Sequence, residues 1–138
     1  MHGTVVEMQK GDIMGYEFCG VVDEIGFAVS RVKKGDRIVA SFRIACGDCY
    51  YCKQKLSSMC EKTNSNTLEN AIYGSRTAGM FGYSHFVGGF AGGQAEYAGV
   101  PYGDVNLLHL PDNVPDKKGL YLSDVLSTSW NCVVDTGV

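Results

Sequence analysis

The stretch that decides the fold is Cys46-Gly47-Asp48-Cys49-Tyr50-Tyr51-Cys52, followed after seven residues by Cys60. Three thiols spaced by two residues, with a fourth soon after, can converge on one tetrahedral zinc ion, each sulfur about 2.3 Å from the metal. Four sulfurs fill the coordination sphere and leave no place for a substrate, so the predicted ion is a structural staple. Two disulfides, or four unrelated buried thiols, are the competing readings. Disulfides persist mainly in oxidising compartments, and Met1-His2-Gly3-Thr4 opens no basic segment followed by an apolar core. Cysteines three apart are also awkward to bridge, because a disulfide demands specific backbone separations. Zinc held by Cys46, Cys49, Cys52 and Cys60 is the expectation, and a cytoplasmic location goes with it.

Working outward, the 138 residues favour a single domain, with the zinc lobe over about 43–64. A hydrophobic content of 45% is enough for an ordinary core and too high for a disordered chain. No apolar run approaches the ~20 residues of a membrane helix. The formal charge is −3, and four thiolates around one Zn²⁺ make it more negative still, so neither nucleic acid nor a membrane is an expected partner. Glycine is abundant at 18 and proline scarce at 3, which suits tight turns between short strands, as in a small barrel.

Glu17 to Ile25 reads as a strand and Arg37 to Phe42 as a second, with a Lys33-Lys34-Gly35-Asp36 turn between them. Residues 65–93 read as a long loop whose Met80, Phe81, Tyr83, Phe86 and Phe90 pack it over a surface or pocket. Gln94 to Val100 and Val105 to Leu110 read as further strands. Asp116 is a candidate N-cap for a helix running toward Asn131, with Leu120, Val125 and Leu126 at helical spacing.

With these elements placed, the chain resembles the catalytic domain of zinc-dependent medium-chain alcohol dehydrogenases. The resemblance rests on Gly15-Tyr16-Glu17-Phe18, Gly35-Asp36-Arg37-Ile38-Val39, the four-cysteine lobe, Gly92-Gly93-Gln94-Ala95-Glu96-Tyr97 and Leu122-Ser123-Asp124-Val125-Leu126. The long loop and the Leu-Ser-Asp segment resemble the formaldehyde-dehydrogenase-like branch. The resemblance implies a mainly β, GroES-like, partly open barrel with short helices, and a structural zinc on the four cysteines. It also implies a second, open zinc held by an upstream cysteine, the histidine of a Gly-His-Glu motif and a later cysteine or aspartate. Here Tyr16 stands at the histidine's place, Glu17 keeps its motif position and only Asp124 matches a ligand position. A neutral phenol is a poor zinc ligand beside imidazole, so one structural zinc is expected and no catalytic one. Gly-x-Gly-x-x-Gly occurs nowhere, so a Rossmann domain and NAD(P) are not expected.

If the fold is kept, Tyr16, Glu17 and Asp124 should share the old active-site cleft, with His85 above it as a candidate general base. The expected function is nicotinamide-independent chemistry on a small organic molecule: proton transfer, cyclisation, addition or elimination. An inert dehydrogenase piece and a non-catalytic binding or scaffold module are the alternatives. His2 reads as frayed and His109 as solvent-facing. Cys19 and Cys132 read as buried apolar thiols, and Tyr121 and Trp130 as core or a new interface. Apolar surface around 120–138 predicts self-association.

Overall fold

The computed structural model describes residues 5–137. Three short strands form one antiparallel sheet in the order β1 (Cys19–Val21), β2 (Arg37–Ala40), β5 (Leu107–His109). Cys19 pairs with Val39 and Ile38 with His109, so β2 is central. Its Ile38-Val39-Ala40 run is buried throughout, as a strand covered on both faces requires. A second, two-stranded sheet joins β3 (Arg43–Ile44) to β4 (Gly79–Met80). Short helices link these sheets: α1 (Tyr50–Lys53), α2 (Thr67–Tyr73), α3 (Gly103–Asn106), α4 (Asp116–Gly119) and α5 (Val125–Asp135). The resulting fold is the expected GroES-like one of short strands and short helices. The turn from β1 to β2 closes as the sequence predicts. Asp36 accepts the Lys33 amide at 2.8 Å on its side chain, and Gly35 takes φ +91°.

Several expected elements change. The strand read over Glu17–Ile25 shortens to Cys19–Val21, because Val22 already bonds Asp36 O and Gly35 N, where the Lys33–Asp36 turn takes over. Gln94–Val100 forms no strand, and residues 94–99 are exposed. Val105–Leu110 begins with the helical turn α3 before β5. The loop read over 65–93 contains α2, β4 and a 3-10 turn, His85–Val87. The signal for α2 was present: the Asn66 side chain accepts the Glu69 amide at 2.8 Å, and Gly74 closes the helix at φ 71°. The single helix expected from Asp116 breaks into α4, a 3-10 turn at Leu120–Leu122, and α5. Pro115 caps α4, and Asp116 instead binds Arg37 at 2.5 Å.

Two crossings matter for the site. Phe81 packs inward, fully buried between Phe18 (centroids 5.1 Å apart) and Phe90 (6.3 Å), whereas Tyr73 and Tyr83 of the same stretch are exposed. The glycine-rich run 82–93 then clasps residues 13–15 by backbone bonds: Gly15 N to Gly82 O (3.2 Å), Gly92 N to Ile13 O (2.8 Å) and Gly93 N to Gly15 O (2.8 Å). A side chain on Gly92 would collide with the Met14 carbonyl, so only glycine permits this approach. The clasp fixes the segment that delivers Tyr16 and Glu17.

Candidate functional site

The metal centre is assembled by three local elements. β3 leads through buried Ala45 to Cys46. Gly47, at φ +79°, reverses the chain so that Cys49, capping α1, and Cys52 within it face back. The 3-10 turn Ser57–Met59 then delivers Cys60. All four Sγ atoms lie within 4.8 Å of one another, with Cys46–Cys52 at 4.0 Å and Cys49–Cys60 at 3.9 Å. Bonds of 2.3 Å around a tetrahedral zinc give sulfur–sulfur edges of about 3.8 Å, so the residues fit that ion. All six cysteines of the chain are free thiols, which excludes the disulfide reading in this structure.

Backbone amides prepare the sulfurs for negative charge. Asp48 N and Cys49 N donate to Cys46 Sγ (3.4 and 3.3 Å), and Cys46 N donates to Cys60 Sγ (3.4 Å). Burial opposes ionisation of Cys60, but hydrogen bonds from the Thr63 hydroxyl and the Cys46 and Lys62 amides outweigh it and bring the thiol down to about 6. The Cys52 amide, ahead of an opposing burial effect, also holds Cys49 below the usual thiol value. Burial pushes Cys52 up to about 12. A zinc ion held here would supply the positive charge that lets this fourth sulfur ionise. Lys53 and Lys62 pair with exposed Asp48 at 2.9 and 3.5 Å, as solvated surface contacts.

One supporting residue escaped the sequence reading. Asn106 is 3% exposed and grips the strand entering the lobe: its Oδ1 accepts Ala45 N (2.8 Å), while its Nδ2 donates to Ala45 O and Pro101 O (both 2.9 Å). Nothing in the pattern around Asn106 signals this role, since all its partners are distant or backbone atoms.

A second group of side chains gathers at the start of α5. Glu17 Oε1 accepts the Val125 amide at 3.2 Å, which brings Glu17 beside Asp124. Asp124 accepts from Thr128 Oγ1 at 2.5 Å. The Tyr16 ring packs edge-on to Phe42 (6.0 Å), and the Arg43 guanidinium lies over the same Phe42 ring at 5.6 Å. Burial draws the Arg43 pKa down, while the charges of Glu69 and Asp124 oppose it, and the group remains a cation. Tyr16, Glu17, Asp124 and Arg43 are all half-buried.

His85 joins a different group. Its Nε2 lies 3.2 Å from Asp12 Oδ1, in a recess of about 100 Å³ shared with Tyr83, Ser84, Gly89, Phe90 and Ala91. The buried Ser84 Oγ has no partner among the described residues. This recess includes none of Tyr16, Glu17 or Asp124. The Gln9 amide, and next the His85 side chain, hold Asp12 below the usual carboxylate range. His109 is exposed as expected, and its Nε2 contacts Arg31 O at 2.9 Å. Cys19 is half-buried and Cys132 exposed, against the buried thiols expected. Tyr121 and Trp130 are exposed at 52% and 66%, which removes them from the core. Burial of Cys132 and Trp130 would need a helix packed on the domain, whereas α5 has no buried residue; the exposed aromatics leave the interface reading in place. His2 lies outside the described residues.

Among the described residues, the cysteines are the only group of three or more His, Cys, Asp or Glu side chains whose ligand atoms converge. The family model described as "Alcohol dehydrogenase GroES-like domain" matches residues 1–112. The chain belongs to this family. A zinc-type alcohol dehydrogenase-like protein of Schizosaccharomyces pombe is 43% identical to this GroES-like domain over 127 residues, covering 92% of the chain and 30% of that protein. The glutathione-independent formaldehyde dehydrogenase of Pseudomonas aeruginosa is 38% identical over 133 residues, covering 94% and 31%. Among solved structures, an alcohol dehydrogenase from Thermus sp. ATN1 superposes with a TM-score of 0.81 at 31% identity, covering 97% of this chain and 34% of that one. The GroES-like domain thus spans about a third of the length of the relatives it matches. The four-cysteine zinc site belongs to a zinc-type alcohol dehydrogenase-like domain, and no helix of the described residues is long and apolar enough to cross a membrane.

Proposed function

We propose that this domain performs nicotinamide-independent acid–base chemistry on a small organic carbonyl or hydroxyl compound bound against Tyr16, Glu17 and Asp124. The observation that supports the reading is the 3.2 Å bond from Val125 N to Glu17 Oε1, which brings the Glu17 carboxylate to the residue next to Asp124. In a proton transfer, one carboxylate takes a proton from the carbon next to a carbonyl. The Tyr16 hydroxyl donates a hydrogen bond to the carbonyl oxygen, and the Arg43 cation offsets the charge developing there. Returning the proton to another carbon completes an isomerisation, and loss of a neighbouring hydroxyl completes an elimination. Neither needs a hydride carrier. The zinc on the four cysteines keeps the lobe and β3 in place and takes no part in the step.

His85 contributes by holding the glycine-rich run to the 12–15 segment through Asp12, a positioning role for the residues that follow. The apolar residues exposed on α5, Val125, Leu126, Trp130, Val133 and Val134, support self-association through that face. Light scattering across a concentration series tests it, and a strictly monomeric species opposes it.

A second reading, an inert catalytic-domain piece or a binding module, draws on the one-third span of the relatives. Screening of small aldehydes, ketones and hydroxy compounds by proton–deuterium exchange separates the two. Under the acid–base reading, Tyr16→Phe and Asp124→Asn each slow exchange by about 10²–10⁴-fold. Undiminished exchange in both variants would falsify it.

A further inference from the structure

The strand β3 sends Arg43 and Ile44 to opposite sides. Ile44 is fully buried, and Arg43 emerges half-buried near Tyr16. Two contacts fix its guanidinium. Nη1 donates to the Ala78 carbonyl at 3.2 Å, and the group lies over the Phe42 ring at 5.6 Å. No other hydrogen bond or ion pair of Arg43 forms among the described residues. Burial works against its charge, and the Glu69 and Asp124 carboxylates act on it without pairing with it. Both acids are engaged elsewhere. Glu69, 4% exposed, accepts Asn64 Nδ2 (2.6 Å) and Thr77 Oγ1 (2.8 Å), and Asp124 accepts Thr128 Oγ1. A guanidinium carries five N–H donors in a planar fork, so a half-buried one with donors left over calls for a planar anion that takes two parallel bonds.

Charge and shape narrow that anion. Glu17 and Asp124 already bring negative charge to the cleft, against the single positive charge of Arg43. A carboxylate, with one charge in one plane, matches the fork. A phosphate monoester brings about −1.5 to −2 on a tetrahedral head and is repelled by the two acids. The carbonyl must then lie beside the carboxylate. One guanidinium reaches both a carboxylate oxygen and the oxygen on which charge develops only when these sit on adjacent carbons.

We infer that Arg43 is the carboxylate anchor of the cleft, and that its ligand is a small α-oxo acid held by the carboxylate and the neighbouring carbonyl oxygen. The inference rests on the acid–base reading above for the groups that react. Tyr16 donates to the same carbonyl oxygen. Glu17 or Asp124 takes a proton from the carbon beyond the carbonyl. The C–H electron pair becomes a carbon–carbon double bond, and the carbonyl pair moves onto oxygen as an enolate. Return of a proton to carbon regenerates the oxo acid, so nothing is oxidised or reduced.

The experiment titrates the zinc-loaded protein with 2-oxobutanoate and with its neutral amide, 2-oxobutanamide. Binding is followed at the Arg43 Nε signal by nitrogen NMR, and deuterium uptake into each ligand is read in heavy water. The acid should bind at least about tenfold more tightly than the amide, the scale of a charge-assisted bond pair, and should move the Arg43 signal. Inorganic phosphate should compete less well than acetate, and the reverse order overturns the choice of a carboxylate. Arg43→Gln should erase the preference, and Arg43→Lys, which keeps the charge without the fork, should restore part of it. Should Arg43→Gln lose its zinc lobe, the acid-against-amide comparison and the Arg43 signal of the unaltered protein decide. Equal affinity for the two ligands, binding of neither, or a preference that survives Arg43→Gln overturns the inference. A preference without deuterium uptake leaves the anchor standing and refutes the acid–base reading. Uptake into both ligands at equal rates keeps the acid–base reading and overturns the anchor.

Discussion

Replacing Asn106 by alanine should be among the most damaging single changes in this domain, although the residue touches neither the metal nor the cleft. Its amide serves Ala45 N and Ala45 O, both in a residue 5% exposed, and Pro101 O besides. Alanine leaves the two Ala45 groups buried and unpaired, at about 1–3 kcal/mol each, so the loss should be about 2–6 kcal/mol. That is a large share of the ~5–15 kcal/mol typical of a domain. Ala45 precedes Cys46, so the damage should also reach the metal, where loss of an outer support typically weakens binding about 10–100-fold. Urea unfolding of the zinc-loaded protein reads the first effect, and competition with a chromophoric chelator reads the second. Asn106→Asp keeps the acceptor for Ala45 N but sets a carboxylate against two carbonyl oxygens, so it should be no milder. A loss below about 1 kcal/mol with unchanged zinc affinity would refute the argument, since it would mean that water or a backbone shift satisfies Ala45.

Metal removal should unfold the lobe and loosen β3, because structural zinc contributes on the order of 10–16 kcal/mol in small peptides; cobalt substitution should give the intense thiolate-to-metal absorption of a tetrahedral four-sulfur site, and its absence would count against the cage. Cys60→Ser should abolish that spectrum, whereas Cys132→Ser, at an exposed thiol, should leave it unchanged. Asp104 accepts the Arg31 amide (2.8 Å) and the Ser30 hydroxyl (2.8 Å), and these bonds, the Arg31 amide first, hold its pKa below the usual value. A depressed folded-state pKa means stability that is fully present above the ordinary carboxylate range and lost as pH falls through it, below about pH 4. The urea midpoint should therefore drop between pH 5 and pH 3 (approximate limits), and Asp104→Asn should flatten the drop; an unchanged slope would show that other carboxylates dominate.

What the sequence made legible follows from the range of each interaction. The four cysteines were readable because metal chemistry fixes ligand type and spacing within fifteen residues of chain. The Lys33–Asp36 turn was readable because its hydrogen bonds are local. Asn106 was not, because its partners at Ala45 lie 61 positions away. Nor was Arg43: it stands beside the lobe in sequence, but its guanidinium stacks on Phe42 beside Tyr16, an outcome decided by packing. His85 was expected over Tyr16 and Glu17 on the strength of loop position alone; Asp12, three residues before Gly15, captures it instead.

The failed strand at Gln94–Val100 is the most instructive departure, because its residues have strand character yet 95–100 makes no backbone hydrogen bond among the described residues. β propensity expresses how well side chains fit a pleated, half-buried surface, so a segment with no neighbour gains nothing from it. β1 ends for a different reason: Val22 is already bonded to the Lys33–Asp36 turn, donating to Asp36 O and accepting Gly35 N. Amide exchange should therefore be fast across 95–100 and slow at Val22, and equal protection of the two would break this account.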